Sequence, residues 1–138
     1  LAAAAAVVGL LAGVGGTLLV SGEPARPDQT VVAQTQLAGL KSSVPAGAAR
    51  VVGKGTSRRL LLDVPALPAG RGYHEVWLLD KKASRLVSLG VVAGRHGSYR
   101  LPAGLDLTRF PVVDVSVEPV DGDPAHSADS ILRGTLRA

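Results

Sequence analysis

The 138-residue chain contains no cysteine and no methionine, and it has only four aromatic residues and three histidines. Without cysteine it can form no disulfide bond, no CxxC redox centre and no thiolate zinc site. The scattered histidines and the lack of methionine argue against haem ligation. Four aromatic residues are too few for a surface on which nucleic-acid bases stack. Composition therefore excludes several classes of function without indicating one.

Charge is absent from the start of the chain and concentrated in its middle. Residues 1–22 carry no charge, residues 41–109 carry 12 basic and 4 acidic side chains, and residues 110–138 have a net charge of −3. A basic region can bind nucleic acid or anionic lipid. Because the only basic pairs are Arg58-Arg59 and Lys81-Lys82, and neither is interleaved with aromatic residues, we interpret this region as a solvated surface and predict no nucleic-acid partner.

The first twenty residues, LAAAAAVVGLLAGVGGTLLV, contain no charge and a single polar residue, Thr17. A helix of this length spans about 30 Å, the thickness of the hydrocarbon core of a bilayer. A secretory signal peptide is the alternative, but it has a basic start and a shorter apolar stretch. We therefore predict a transmembrane helix over residues 1–20. Because the chain opens on leucine rather than methionine, we expect it to be a piece of a longer protein.

Proline and glycine end the apolar segment and mark the next boundary. Pro24 and Pro27 predict an extended juxtamembrane linker over residues 21–29. This linker has one arginine against two acids, so the positive-inside rule gives no reason to place it in the cytoplasm. Residues 30–138 then remain as one domain, which we expect to lie on the extracytoplasmic side of a single-pass membrane protein.

Short apolar runs bounded by glycine, proline, serine or aspartate follow one another through residues 30–138. They predict strands at residues 30–37, 49–54, 59–64, 73–80, 86–92, 98–101, 112–118 and 131–136. Residues 105–109 are the only predicted helical turn. In the strand at 112–118, Val113, Val115 and Val117 face one way and the polar residues face the other. The pattern predicts an all-β fold, an antiparallel β-sandwich of about eight short strands.

Trp77 lies within one of the most apolar predicted strands. A single tryptophan in such a strand is typical of a buried anchor rather than a ligand platform. We predict that it is buried and that Val113, Val115 and Val117 line the same core.

Two short motifs resemble catalytic or ligand-binding signatures and fail on spacing. His74-Glu75 lacks the second histidine of HExxH, because Leu78 occupies that position, and adjacent strand residues point to opposite faces. The run from Gly53 through Lys54 to Thr56 lacks the first glycine of a phosphate loop and has no helix pattern after it. We expect neither motif to carry chemistry.

The turn-rich segment before the last strand holds the remaining candidates. Asp121, Asp123, His126 and Asp129 could form a cation-binding loop, but the twelve-residue calcium pattern is lacking. Ser127 lies beside His126, yet no GxSxG elbow appears, and hydrolase triads are assembled across a fold. We predict no catalytic, cofactor-binding or metal-binding residue, no cofactor, no small-molecule substrate and no enzymatic activity.

A family resemblance rests on three stretches. They are residues 73–80 (YHEVWLLD), then Leu89-Gly90, and then residues 112–136, where a valine-rich strand ends in Glu118-Pro119. Together they resemble the C-terminal domain of the anti-sigma-K factor family. The positions that carry the resemblance are Tyr73, Val76, Trp77, Glu118, Pro119, Gly122 and Gly134.

The resemblance implies a bitopic protein with a cytoplasmic anti-sigma domain, one membrane helix and an extracytoplasmic β domain. It implies that this chain is the membrane-anchored regulatory part of an anti-sigma factor, acting in negative regulation of sigma-factor-dependent transcription. The implied partners are the lipid bilayer, an intramembrane protease and a sigma factor bound through an upstream domain. The alternative is a generic extracytoplasmic β-sandwich that binds a cell-envelope ligand or protein.

Overall fold

The computed structural model describes residues 29–138, so the predicted membrane helix at 1–20 and residues 21–28 of the predicted linker lie outside the described residues. The described chain forms eight strands, each overlapping a predicted one. They are β1 (Val31–Gly39), β2 (Gly47–Lys54), β3 (Ser57–Asp63), β4 (Tyr73–Leu79), β5 (Leu86–Val91), β6 (His96–Arg100), β7 (Val112–Glu118) and β8 (Ser130–Thr135). Between residues 29 and 138, no helix is long and apolar enough to cross a membrane.

The predicted helical turn at residues 105–109 is a single hydrogen-bonded turn. The backbone N–H of Phe110 donates to the carbonyl of Asp106 at 3.0 Å. The Asp106 carboxylate accepts the N–H of Thr108 at 2.8 Å, and Pro111 follows directly after Phe110. The turn leads the chain from β6 to β7 and does not extend into a helix.

All eight strands belong to one antiparallel sheet, in the order β5-β4-β7-β8-β1-β2-β3-β6. The prediction of eight antiparallel strands is confirmed, whereas the prediction of two separate sandwich sheets is replaced by a single, nearly closed sheet. The reason lies in β1, whose first residues pair with β2 while Ala38 and Gly39 pair with β8. One long strand therefore joins the two layers that a sandwich keeps apart.

The two edge strands of this sheet, β5 and β6, meet through Tyr99. Its hydroxyl donates to the carbonyl of Val91 at 3.2 Å, which links β6 to β5. Gly90 lies under the ring and has φ 140°, a backbone conformation that L side chains rarely adopt. Burial raises the pKa of Tyr99 above its usual value of 10.0. The phenol therefore covers much of the gap that would otherwise leave the sheet open.

The hydrophobic core lies inside the curved sheet. Most of its fully buried side chains come from alternate positions of the strands, as the period of two requires, whereas Ile131 and Leu132 are consecutive where the register of β7 and β8 shifts. The buried side chains include Leu37, Val51, Leu60, Leu62, Val76, Leu78, Val113, Val115, Ile131 and Leu132. In β4, four consecutive residues from Val76 to Leu79 are buried. Both faces of this part of β4 are therefore buried. One face packs on the hydrophobic core, and residues that do not belong to the sheet cover the other.

Candidate functional site: a buried polar layer beneath the 119–129 loop

The outer face of β7 carries three buried polar side chains. Asp114 and Ser116 have no exposed surface, and Glu118 is 2% exposed. They alternate with Val113 and Val115, so they point away from the hydrophobic core. The residues that follow β7, 119–129, lead to β8, and we call this segment the 119–129 loop. A carboxylate is buried only where other groups replace its water, so the partners of these side chains define the site.

The Asp114 carboxylate is surrounded by donors from two parts of the chain. Arg133 of β8 donates its Nε to Oδ1 at 2.7 Å. Ser130 donates its hydroxyl to Oδ2 at 2.8 Å, and Nε2 of His126 lies 3.0 Å from the same oxygen. Arg133 also donates to the Ser130 hydroxyl at 3.0 Å, so the three partners form one network. Asp114 thus joins β7 to β8 and to the 119–129 loop.

The Glu118 carboxylate receives a second network that begins at Trp77. The indole Nε1–H donates to the Ser116 hydroxyl at 3.0 Å, and that hydroxyl donates to Oε1 of Glu118. The other oxygen, Oε2, accepts the backbone N–H of Ser127 at 2.8 Å. The tryptophan and the loop are therefore held by the same carboxylate.

These seven side chains form a polar layer between the sheet and the loop. The polar layer consists of Trp77, Asp114, Ser116, Glu118, His126, Ser130 and Arg133.

His126 is the loop residue that reaches furthest into this layer. Its Nδ1 accepts the backbone N–H of Ala128 at 2.9 Å, so Nδ1 carries no proton. The proton of the neutral ring is then on Nε2, and this N–H donates a hydrogen bond to the Asp114 carboxylate. The ring also meets Trp77 edge to face, with centroids 5.0 Å apart at 76°. Both nitrogens are engaged, and neither is free to act as a base toward Ser127.

Ser127 and the acidic residues of the loop have partners of their own. The Ser127 hydroxyl donates to the carbonyl of Val117 at 2.6 Å. Asp121 accepts the N–H of Asp123, and Asp123 accepts the N–H of Ala125, both at 2.9 Å. Asp129 forms an ion pair with Lys41 at 2.6 Å. The loop therefore contains successive Asx turns, and Ser127 and Asp129 attach it to Val117 and Lys41.

The possible cation loop is therefore not assembled in this arrangement. Asp121, Asp123 and Asp129 bond to separate partners, and His126 turns inward to Asp114. Across residues 29–138, no group of three or more histidine, aspartate and glutamate side chains is placed to hold a metal ion.

The other two candidate motifs lie elsewhere. His74 faces inward from β4 with its Nε2 buried and without a hydrogen-bond partner among residues 29–138, and burial lowers its pKa from 6.5. Glu75 points to the opposite face and accepts a hydrogen bond from Ser88, as the period of a strand predicts. Residues 53–56 run from the end of β2 into the β2–β3 turn, and Gly53 has φ 115° and Gly55 has φ 57°. A strand follows this turn, where a phosphate loop would continue into a helix.

One of the two predictions made for Trp77 from the sequence is confirmed, and the other is wrong. It is 6% exposed, so the prediction that it is buried is confirmed. The prediction that it shares a core with Val113, Val115 and Val117 is wrong. In the register of β4 and β7 it lies directly opposite Asp114, and paired residues of antiparallel strands share a face. Its ring therefore packs in the polar layer, which also leaves it unavailable as a ligand platform.

Comparison with known protein families matches residues 1–130 to the family described as anti-sigma-K factor rskA, C-terminal. The chain belongs to this family. No curated protein and no solved structure matches it. Membership of the anti-sigma-K factor family assigns the chain to proteins that negatively regulate sigma factors, a regulatory class rather than an enzymatic one.

The residues that suggested this family in the sequence lie around the polar layer. Trp77 and Glu118 belong to it, and Gly72, just before Tyr73, has φ 113° and passes so close to the Glu118 carbonyl that a Cβ would overlap it. Gly134 of β8 lies against the Gln36 carbonyl of β1 in the same way. Sequence alone indicated Trp77, Glu118 and Gly134, but not the buried Asp114 carboxylate that connects the loop to the sheet.

Proposed function

We propose that this chain is the membrane-anchored extracytoplasmic regulatory domain of an anti-sigma factor, and that it controls whether the attached inhibitor stays anchored. The observation that carries the proposal is the extent of the family match. It extends from residue 1 to residue 130, the first residue of β8, so it includes both the uncharged apolar segment and most of the β domain. Twenty uncharged apolar residues suit a membrane span, and nothing in the β domain resembles one.

The proposal places the sigma factor and the β domain on opposite sides of the bilayer. A hydrocarbon core about 30 Å thick separates them, so the β domain acts on sigma binding only through the membrane segment and the linker. Sigma binding then belongs to a domain upstream of residue 1, and an intramembrane protease releases that domain. The ten residues between Val20 and β1 span at most about 36 Å when fully extended. The β domain therefore stays near the membrane surface.

The polar layer supports a role as a stable folded cover rather than as a catalytic site. Its two carboxylates, its histidine and its tryptophan are satisfied by one another and by the loop. A domain held closed in this way shields the linker from proteases until it is displaced or unfolded, since proteolysis requires a locally opened chain. The regulatory step is then access to the linker.

Two measurements test the proposal. Cells producing residues 1–138 or residues 28–138 are fractionated, and the membranes are washed with high salt. We expect the longer chain to stay in the membrane fraction and the shorter one to be released as a folded β protein. Retention of residues 28–138 would contradict anchoring by residues 1–20. In a parallel pull-down, residues 1–138 should not retain the sigma factor, and strong retention would contradict the assignment of sigma binding to an upstream domain.

A further inference from the structure

The end of the sheet at which the described chain begins is also the end where its basic residues collect. Thr30 accepts the N–H of Gly53 at 3.0 Å, so the start of β1 lies beside the β2–β3 turn. Across the sheet, Gln34 pairs with Arg137, and Thr135 pairs with Val112. Val112 pairs in turn with Leu79, so the β4–β5 turn and the segment from β6 to β7 lie at this same end.

Nine of the fourteen lysines and arginines in residues 29–138 lie at this end, against two of the nine acids. We call it the basic end. Its residues are Lys54, Arg58, Arg59, Lys81, Lys82, Arg85, Arg100, Arg109 and Arg137. Seven of the nine are exposed, and Arg58 and Arg59 are partly buried. The resulting net charge of +7 repels itself in water, and an anionic partner would offset that repulsion.

The two acids at the basic end are engaged by their own turns. Asp80 accepts the N–H of Ser84 at 2.8 Å, and Asp106 accepts the N–H of Thr108 at 2.8 Å. These hydrogen bonds lower the pKa of both carboxylates, so both remain ionised while bonding to backbone and hydroxyl groups. Within residues 29–138, none of the nine basic side chains forms an ion pair. The seven exposed charges therefore face solvent, whereas Arg58 donates to the Leu105 carbonyl and Arg59 donates to Ser98.

Charge is distributed differently at the opposite end. The 119–129 loop lies there with Asp121, Asp123 and Asp129, and within residues 29–138 only Asp129 of these three pairs with a lysine. Outside the basic end, the charged residues of the described domain are seven acids and five basic residues. The domain therefore carries an electrical polarity along its strands, which would orient it with the basic end toward a negatively charged surface.

We propose that the basic end docks on the anionic headgroups of the membrane that residues 1–20 span. The proposal rests on the anchoring argued above, because the linker leaves the domain at this end and holds it within about 36 Å of the surface. A basic side chain near an anionic bilayer contributes roughly fivefold to binding, so several together hold a tethered domain against the headgroups. Docking in this position covers the linker. Contact between the domain and the membrane surface therefore controls whether proteases reach the linker.

The four lysines of the chain provide the test. Lys54, Lys81 and Lys82 lie at the basic end, and Lys41 lies at the other, so Lys41 is an internal control. The full chain is reconstituted into nanodiscs of phosphatidylcholine alone or with phosphatidylglycerol. It is then treated with an amine-acylating reagent, and each lysine is quantified by mass spectrometry. We expect acylation of the three lysines to fall about fivefold or more with phosphatidylglycerol, and that of Lys41 to stay unchanged.

A matched pair of variants shows whether charge at this end is responsible. Lys81→Gln/Lys82→Gln/Arg85→Gln removes three exposed charges from the basic end, and Arg71→Gln/Arg95→Gln removes two from the other. The first should restore acylation of Lys54 in phosphatidylglycerol discs, and the second should leave its protection intact. All these side chains are exposed, and circular dichroism checks that both variants fold.

Three results would overturn the proposal. The first is equal acylation in both lipids by a chain that remains incorporated in the nanodiscs, which refutes docking while leaving anchoring in place. The second is loss of protection at 0.15 M salt, where a docked multivalent surface should persist. The third is protection of the same lysines by duplex DNA but not by phosphatidylglycerol, which would assign the basic end to nucleic acid.

Discussion

Nε2 of His126 lies 3.0 Å from the buried carboxylate of Asp114, although the histidine belongs to a surface loop and the aspartate to the middle of a strand. This contact pulls the 119–129 loop over the outer face of the sheet. It also explains why an acidic side chain with no exposed surface can occupy β7, since hydrogen bonds from Arg133 and Ser130 satisfy the rest of the carboxylate. The loop and the sheet therefore stabilise each other.

Replacing Asp114 tests this dependence. Asp114→Ala leaves Arg133, Ser130 and His126 without their shared acceptor, and we expect the free energy of unfolding to fall by about 3 kcal/mol. Asp129→Ala removes a half-exposed pair with Lys41 and should cost about 1 kcal/mol or less. Denaturant titration of both variants measures the difference. Equal costs would mean that the network under the loop adds nothing to stability.

Trp77 is expected to anchor the polar layer. Trp77→Ala should lower the free energy of unfolding by about 3–5 kcal/mol, because a large buried side chain is lost. Trp77→Phe keeps most of the packing and removes only the hydrogen bond to Ser116, so it should cost about 1 kcal/mol. In the intact protein, fluorescence of this single tryptophan should resist quenching by iodide. Free quenching would show that the 119–129 loop does not cover the ring.

The contact between β8 and β1 depends on Gly134. A Cβ at this position would overlap the Gln36 carbonyl, which belongs to backbone and cannot swing away. Gly134→Ala should therefore lower stability by about 2 kcal/mol or more. Gly70→Ala is the matched control, since nothing lies near its Cβ position, and it should change stability by about 0.5 kcal/mol at most. Thermal melts compare the two, and a neutral Gly134→Ala would contradict the close approach of these strands.

His74 should make the domain less stable in mild acid. Burial lowers its folded-state pKa below the unfolded value of 6.5, so the unfolded chain binds a proton more readily. Stability should therefore fall as the pH decreases through about 6.5 toward the folded-state pKa. His74→Gln removes this contribution, and unfolding free energies at about pH 7.5 and 5.5 reveal the difference. An identical pH dependence in the two proteins would show that His74 is solvated in the folded state.

The strands were predictable because their periodicity reflects local burial. Val113 and Val115 face the core as their alternation with Asp114 and Ser116 indicates. The alternation places the polar residues of β7 on the opposite face, and it does not show that this face is buried. What covers it is a loop that returns over the sheet, a contact between residues distant along the chain that no periodicity records. For the same reason Trp77 was assigned to the wrong face of its sheet.

The nearly closed sheet also escaped prediction. The sequence of the nine-residue β1 has the pattern of an ordinary strand. Its pairing with both β2 and β8 depends on where those strands lie in space. The charge of the basic end was visible as a basic stretch from residue 41 to 109. Its concentration at one end of the domain depends on the order of the strands, which brings residues 54–59, 81–85 and 100–109 and Arg137 together.

The most direct measurement of the central proposal is the side of the membrane on which Lys41 lies. Lys41 is exposed at the end of the domain opposite the basic end, so docking on lipid does not hide it. Intact cells that produce the protein from its own gene are treated with a membrane-impermeant amine reagent, and the modified lysine is identified by mass spectrometry. An extracytoplasmic regulatory domain predicts modification of Lys41 in intact cells, to the same extent as after lysis. Modification only after lysis would place the β domain in the cytoplasm and contradict the account.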